Sequence, residues 1–251
     1  DRKKNAVELE RAITLANANR DVVRALIVGN EVLLRRERSE DEMRALIREA
    51  KARAAVPVTY ADVWEFWVKH DSLASEVDFV TVHILPFWED EPVDIEHALA
   101  HVADIHDKMS SHFAGKPLLI GETGWPSEGR QREESKPSRV NQARYIREFV
   151  HQAHARGWNY NLIEAIDQPW KRRLEGTVGG YWGMLEAQTL IPKFPLAGAV
   201  SERASAMPPL AGAAAGALIG LLLAATTAGT TALRTAALTA VAATAGLIAV
   251  L

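Results

Sequence analysis

The sequence has no cysteine, which excludes disulfide staples and thiolate chemistry. It has almost no charge imbalance. Lys and Arg number 29 against 32 Asp and Glu, a net charge of −3, so no nucleic-acid partner is implied. No signal peptide is expected, since the chain opens on a basic patch and a helical pattern and not on an apolar h-region. It also lacks a convincing metal-ligand spacing. There are eight histidines, but no His-x-x-x-His pair has a third ligand in register. His97, His101, His106 and His112 follow one another in a polar helical stretch and read as a solvated helix face. What is present suits a globular chain: 48% hydrophobic and 24% charged residues over 251 positions permit one domain with a large core. The seven tryptophans are many for this length. Carbohydrate sites use Trp as an apolar platform, and cores use it for packing.

Two stretches share one grammar. Lys116-Pro117-Leu118-Leu119-Ile120 is a short apolar run, the pattern of a fully buried strand in a parallel sheet. It ends abruptly in Gly121-Glu122-Thr123-Gly124-Trp125-Pro126-Ser127. Upstream, Ala25-Leu26-Ile27-Val28 runs into Gly29-Asn30-Glu31. Each strand delivers a glutamate at its end, which in a parallel α/β barrel is the catalytic face. Paired carboxylates at one face suit glycoside hydrolysis, in which one protonates the leaving oxygen and the other attacks or activates water.

These residues, Val28-Gly29-Asn30-Glu31 followed by Ile120-Gly121-Glu122-Thr123-Gly124-Trp125-Pro126-Ser127, resemble glycoside hydrolase family 17. The resemblance covers roughly residues 5–196. It implies a (β/α)8 barrel and a retaining β-1,3-glucanase or glucanosyltransferase that needs no metal or organic cofactor. Glu31 would be the general acid/base at the end of strand 4. Glu122 would be the nucleophile at the end of strand 7.

Strands alternate with helices along the chain, which predicts a parallel α/β sheet. Strands are expected at 25–28, 56–60, 76–83, 117–122 and 159–166, and helices at 40–54, 95–113 and 138–156, with Ser39 as an N-cap. Five strands are expected where the family has eight. They would be strands 4–8, making residues 1–203 the C-terminal part of a barrel; a smaller α/β fold is the alternative. Residues 204–251 are uncharged but for Arg234 and rich in Ala, Leu and Gly. They are expected to form transmembrane helices at about 210–230 and 235–251, with a low-complexity tail as the rival. The order of the two parts is similar to bacterial membrane β-glucan synthases that carry such a hydrolase domain. The expected partners are therefore β-glucan and a membrane, with the hydrolase part extracytoplasmic, in a bacterial periplasm. The alternative function is a non-catalytic glucan-binding module or an inactive fragment.

The resemblance also assigns a substrate-binding set. Asn30 faces the sugar 2-hydroxyl. Tyr60 hydrogen-bonds Glu122 or packs in the floor. His83 and Trp88 end the next strand, Trp88 as a sugar platform or a core residue. Trp125 follows the nucleophile. Trp170 and Lys171 follow the last strand and bind glucan, while Gln168 stands where fungal relatives carry Glu. Tyr181 and Trp182 are expected to be structural.

Overall fold

A computed structural model describes residues 2–202, 207–226 and 231–248. The chain divides into two compact units, 1–201 and 202–251.

The first unit alternates strands and helices. Helix α1 (Arg2–Ala18) leads to β1 (Leu26–Asn30), α2 (Glu40–Arg53), β2 (Val58–Val63), α3 (Trp64–Lys69), β3 (Val80–His83), α4 (Ala98–His112), β4 (Leu118–Thr123), α5 (Arg139–Arg156) and β5 (Asn159–Leu162). A single turn, α6 (Arg172–Glu175), follows. All strand pairs are parallel and the spatial order is β1-β2-β3-β4-β5. Local sequence accounts for the helix starts. Ser39 and Glu42 form a reciprocal capping box on α2, and Ser138 caps α5, so backbone N–H groups left over at each start are satisfied. Gly157 ends α5 at φ +68°, where a left-handed residue closes the last turn. The strands are covered by a core that includes Ile47, Val58, Val80, Val82, Met109, Ile120 and Phe149, all fully buried.

Several expected boundaries move. The strand expected at 56–60 runs on to Val63, because Ala61, Asp62 and Val63 pair with Thr81, Val82 and His83. The strand expected at 76–83 begins only at Val80, since residues 71–75 form a 3-10 turn. The last strand stops at Leu162, not 166.

Both glutamate-bearing strands are irregular just before the glutamate. The β1–β2 register shifts between Ile27 and Asn30, and the β3–β4 register slips so that His83 lies opposite Glu122. The extra residues include Gly29 and Gly121. Gly29 has φ +87°, and Glu31 itself has φ +52°. Bulges re-aim side chains at strand ends, and a non-glycine residue in the left-handed region is a local strain of the kind concentrated at functional sites.

The second unit holds α7 (Met207–Thr226) and α8 (Ala232–Ile248). The two pack closely where glycine allows it: a Cβ on Gly216 would fall 2.0 Å from the Ala242 carbonyl oxygen, and one on Gly220 would fall 2.8 Å from Thr239 Cα. The expectation of transmembrane helices is corrected here. Among the described residues no helix is long and apolar enough to cross a membrane. Helix α7 opens on Met207-Pro208-Pro209 and carries Gly212, Gly216 and Gly220 along its length. The expected end of the second span, 249–251, lies outside the described residues.

Candidate active site

The carboxyl ends of β1 to β4 open into a cleft of about 630 Å³. Glu31 and Glu122 both line it, with His83, Trp88, Lys171, Glu175 and Trp182. One side-chain atom each of Glu31, His83 and Glu122 lie within 4.8 Å of one another.

Each of the three is held differently. The Glu31 backbone N–H donates to the Ala61 carbonyl at 2.8 Å, tying the residue to β2. Its carboxylate accepts from Arg35 at 3.0 Å, and Arg35 also donates to the main-chain carbonyl of Asn30. Among the described residues Glu122 has no ion-paired Arg or Lys, although the charge of Lys171 acts on it. His83 is 2% exposed. Its Nε2 lies 2.8 Å from Asn30 Oδ1 and 3.9 Å from Glu122 Oε1.

The electrostatics follow from burial. Burial raises the Glu31 carboxyl, and Arg35 opposes that rise. Burial, then the nearby charge of Glu31, push Glu122 up to about 7. Burial pushes His83 down to about 4, so the ring is neutral at neutral pH. Both carboxyls are thus raised, and the charge of Glu31 adds to the rise of Glu122. The three side chains are also the ligating types close enough to share a cation. Of these groups, His83 Nε2 is engaged by Asn30 and Glu31 Oε2 by Arg35.

The other expected binding residues divide. Trp88 is in the cleft wall, stacked on Trp182 with ring centres 6.1 Å apart. Lys171 lines the cleft and donates to Glu164 at 2.9 Å. Asn30 is exposed beside the cleft, outside its lining. Tyr60 is corrected to the core. It is 1% exposed, accepts from the Leu33 N–H and donates to Asp62. The reason is the longer β2, which places Tyr60 mid-strand and not at its end. Trp125 is also corrected to the core. It is fully buried between Phe87 and Tyr145 and donates Nε1–H to the Lys136 carbonyl. Trp170 is 63% exposed and lies outside the lining.

The lining groups that sequence reasoning missed include Glu65, Glu89, Asp90, Glu175 and Trp182. Glu65 is raised to about 7, by burial first and then by its neighbour Glu89. Glu89 accepts from Trp64 and sits 3.2 Å from His101 Nε2. His101 therefore faces the cleft wall and is not part of a solvated stripe. Glu164 was missed as well. It holds both Gln168 and Lys171, so the charge absent at Gln168 is supplied to Lys171 from Glu164. No motif marks these positions; only the fold brings them together.

Comparison with known proteins places this geometry. A curated glucan 1,3-beta-glucosidase of Arthroderma benhamiae is 29% identical over 195 residues, 70% of this chain and 62% of the relative. The glucan 1,3-beta-glucosidase of Saccharomyces cerevisiae is 25% identical, over 68% of this chain and 61% of its own length. This chain therefore spans less than two thirds of the curated relatives it matches. Among solved structures, the glycoside hydrolase family 17 β-1,3-glucanosyltransferase of Rhizomucor miehei superposes with a TM-score of 0.62 at 28% identity, covering 69% of this chain and 64% of that one. An active-site mutant of the same enzyme, in complex with laminaritriose, superposes equally well at 27% identity over 68% of this chain and 63% of that one. The family model of the BtgE/BtgC glycoside hydrolase domain matches residues 1–183. The chain belongs to that family and carries a domain like those of glycoside hydrolase family 17.

Proposed function

We propose that the protein is a retaining β-1,3-glucan hydrolase or transglucosylase in which Glu122 is the nucleophile and Glu31 the general acid/base. The observation that carries the reading is the proximity of the two carboxylates, within 4.8 Å at their nearest atoms, in one cleft at the ends of parallel strands. A separation near 5–5.5 Å suits direct attack by one carboxylate, whereas an inverting pair stands about 6.5–9.5 Å apart to admit water.

In this reading Glu122 attacks the anomeric carbon while Glu31 gives its proton to the departing glycosidic oxygen. Glu31, now ionised, takes a proton from water or from a sugar hydroxyl, which attacks the same carbon and frees Glu122. The first step needs the proton on Glu31. Burial raises the Glu31 carboxyl, which favours that proton, and Arg35 works against it. Trp88 and Trp182 supply an apolar wall for a sugar ring. The five strands correspond in this reading to strands 4–8 of a (β/α)8 barrel. A polymeric glucan substrate supports an extracytoplasmic location. An association with a β-glucan synthase rests on the sequence resemblance alone.

The test is incubation of the full chain with laminaritriose and with a polymeric β-1,3-glucan, following the anomer released by proton NMR. Products of retained configuration, lost in Glu122→Gln, are expected. The ion pair of Arg35 with Glu31, which works against a proton there, favours one other reading, a glucan-binding module that does not cleave. Saturable binding with no turnover by the unaltered chain would establish it instead.

A further inference from the structure

His83 does no work that the reaction above assigns, yet its environment is highly specified. The ring is buried at the end of β3, and its Nε2 meets Asn30 Oδ1 at 2.8 Å. An amide oxygen only accepts, so this contact requires the proton on Nε2. Nδ1 then carries a lone pair, and it is buried with no hydrogen-bond partner. The ring lies tight against β4, where a Cβ on Gly121 would come within 2.9 Å of both Cε1 and Nδ1. Asn30 is thus held twice: Arg35 donates to its main-chain carbonyl and His83 to its side-chain oxygen. Its Nδ2 has no partner among the described residues, and the residue is exposed next to Glu31.

We infer that His83 is a positioning residue: its Nε2–H turns the Asn30 amide so that Oδ1 faces inward and Nδ2 is the donor offered to a substrate hydroxyl beside Glu31. This rests on the hydrolase reading above. With the amide reversed, Nδ2 would point at the N–H of His83, a donor-to-donor clash, and the cleft would meet an acceptor. The neutral ring thus converts a two-way side chain into a one-way donor. The hydroxyl next to the anomeric centre is the group such a donor would reach, because its hydrogen bond strengthens as charge develops there.

The test compares His83→Met, which removes the N–H at similar volume, with Asn30→Ala and with the double variant. The substrates are an aryl β-glucoside and its 2-deoxy analogue. Each single variant should lower kcat on the glucoside about tenfold or more, the worth of one hydrogen bond strengthened in the transition state. The double variant should lose no more than the larger single loss. On the 2-deoxy substrate all three should match the unaltered chain. His83→Gln, which carries an N–H near the position of Nε2, should recover most of what His83→Met loses. Losses that multiply, or that persist undiminished on the 2-deoxy substrate, overturn the inference. Should the unaltered chain bind glucan without turning it over, the hydrolase reading falls by itself, and a second readout still decides this one. Long-range 15N–1H NMR should show His83 as the Nε2–H tautomer, with Nε2 moving when Asn30 becomes Ala. An Nδ1–H tautomer, or an Nε2 signal indifferent to Asn30, overturns it.

Discussion

Glu31 and Glu122 approach within 4.8 Å, and Arg35 ion-pairs with Glu31 at 3.0 Å. Burial raises the Glu31 carboxyl and Arg35 opposes that rise. Burial, and after it the charge of Glu31, raise Glu122 to about 7.

The first prediction removes that charge. Glu31→Gln takes away the repulsion that raises Glu122, so Glu122 should ionise at lower pH. With an activated aryl β-glucoside, whose departure needs little acid help, the first step should follow ionisation of Glu122. Its midpoint should lie near pH 7 in the unaltered chain and move acidward in Glu31→Gln. On substrates with poor leaving groups the same variant should lose about 10²–10⁴-fold. An unmoved midpoint in pre-steady-state rates would separate the two carboxylates electrically.

The second prediction removes the cation. Arg35 opposes the rise of the Glu31 pKa, so Arg35→Met should raise it further and, in the proposed reaction, favour the proton on Glu31. The alkaline limb of kcat/KM, which reports loss of the acid's proton, should move to higher pH. Pairwise titration of the two carboxyls by 13C NMR would check the direction independently of rate.

How much of this was legible beforehand depended on whether local pattern or tertiary position decided the matter. The strand-end positions of Glu31 and Glu122 were readable because two apolar runs each break at a Gly and reach a Glu, although a solvated turn can read the same way. The capping box at Ser39 was readable because three residues suffice to make it. Tyr60 and Trp125 were not, since aromatic side chains serve a sugar site and a core equally well. The choice turned on β2 ending three residues later than expected. Glu164, Glu65 and Glu89 sit in loops or helix starts with no motif, and only chain segments distant in sequence give them meaning. The 207–248 helices were legible as helices, but not in their packing. That packing depends on which small residues of α7 and α8 meet.

The third prediction concerns the segment that closes the unit. Lys193 and Asp167 form an ion pair of 2.6 Å with both side chains buried, and Lys193 also donates to Ser127 Oγ at 2.7 Å. Removing one partner strands a buried charge, so Lys193→Met should destabilise by roughly 3–5 kcal/mol. Replacing both, as Lys193→Met with Asp167→Leu, should recover most of that loss. Urea unfolding of the three chains measures it. A double variant as unstable as the single would mean that packing, and not the unpaired carboxylate, sets the cost.

The fourth prediction is a pH dependence of stability. Hydrogen bonds from Arg48 and Arg44 hold Glu76 down to about 2, against an ordinary value of 4.5. A depressed carboxyl contributes stability that is fully present above its unfolded value and is lost as pH falls through the folded one. The contribution should therefore fade between about pH 4.5 and about pH 2. Glu76→Gln should unfold more easily than the unaltered chain at pH 6, with the gap closing toward pH 2 and narrowing at high salt. A gap independent of pH would assign the effect to lost hydrogen-bond shape alone.

The last prediction tests the bulge that carries Glu122. Gly121 faces β3, where an added Cβ would lie 2.5 Å from Thr81 Cγ2 and 2.9 Å from the His83 ring. Neither neighbour can turn aside cheaply. Thr81 is β-branched, and its Oγ1 is 3.0 Å from Thr59 Oγ1. The His83 ring is pinned by Asn30. Gly121→Ala should then cost about 1–3 kcal/mol by overpacking. Because the ring is the more peripheral of the two, it should yield first and break its contact with Asn30. Chemical denaturation should register the stability loss, and the His83 Nε2 resonance should shift in the folded variant. Gly121→Ala with unchanged stability and an unchanged Nε2 signal would show that β4 can slide away from β3, and that glycine is not what seats Glu122.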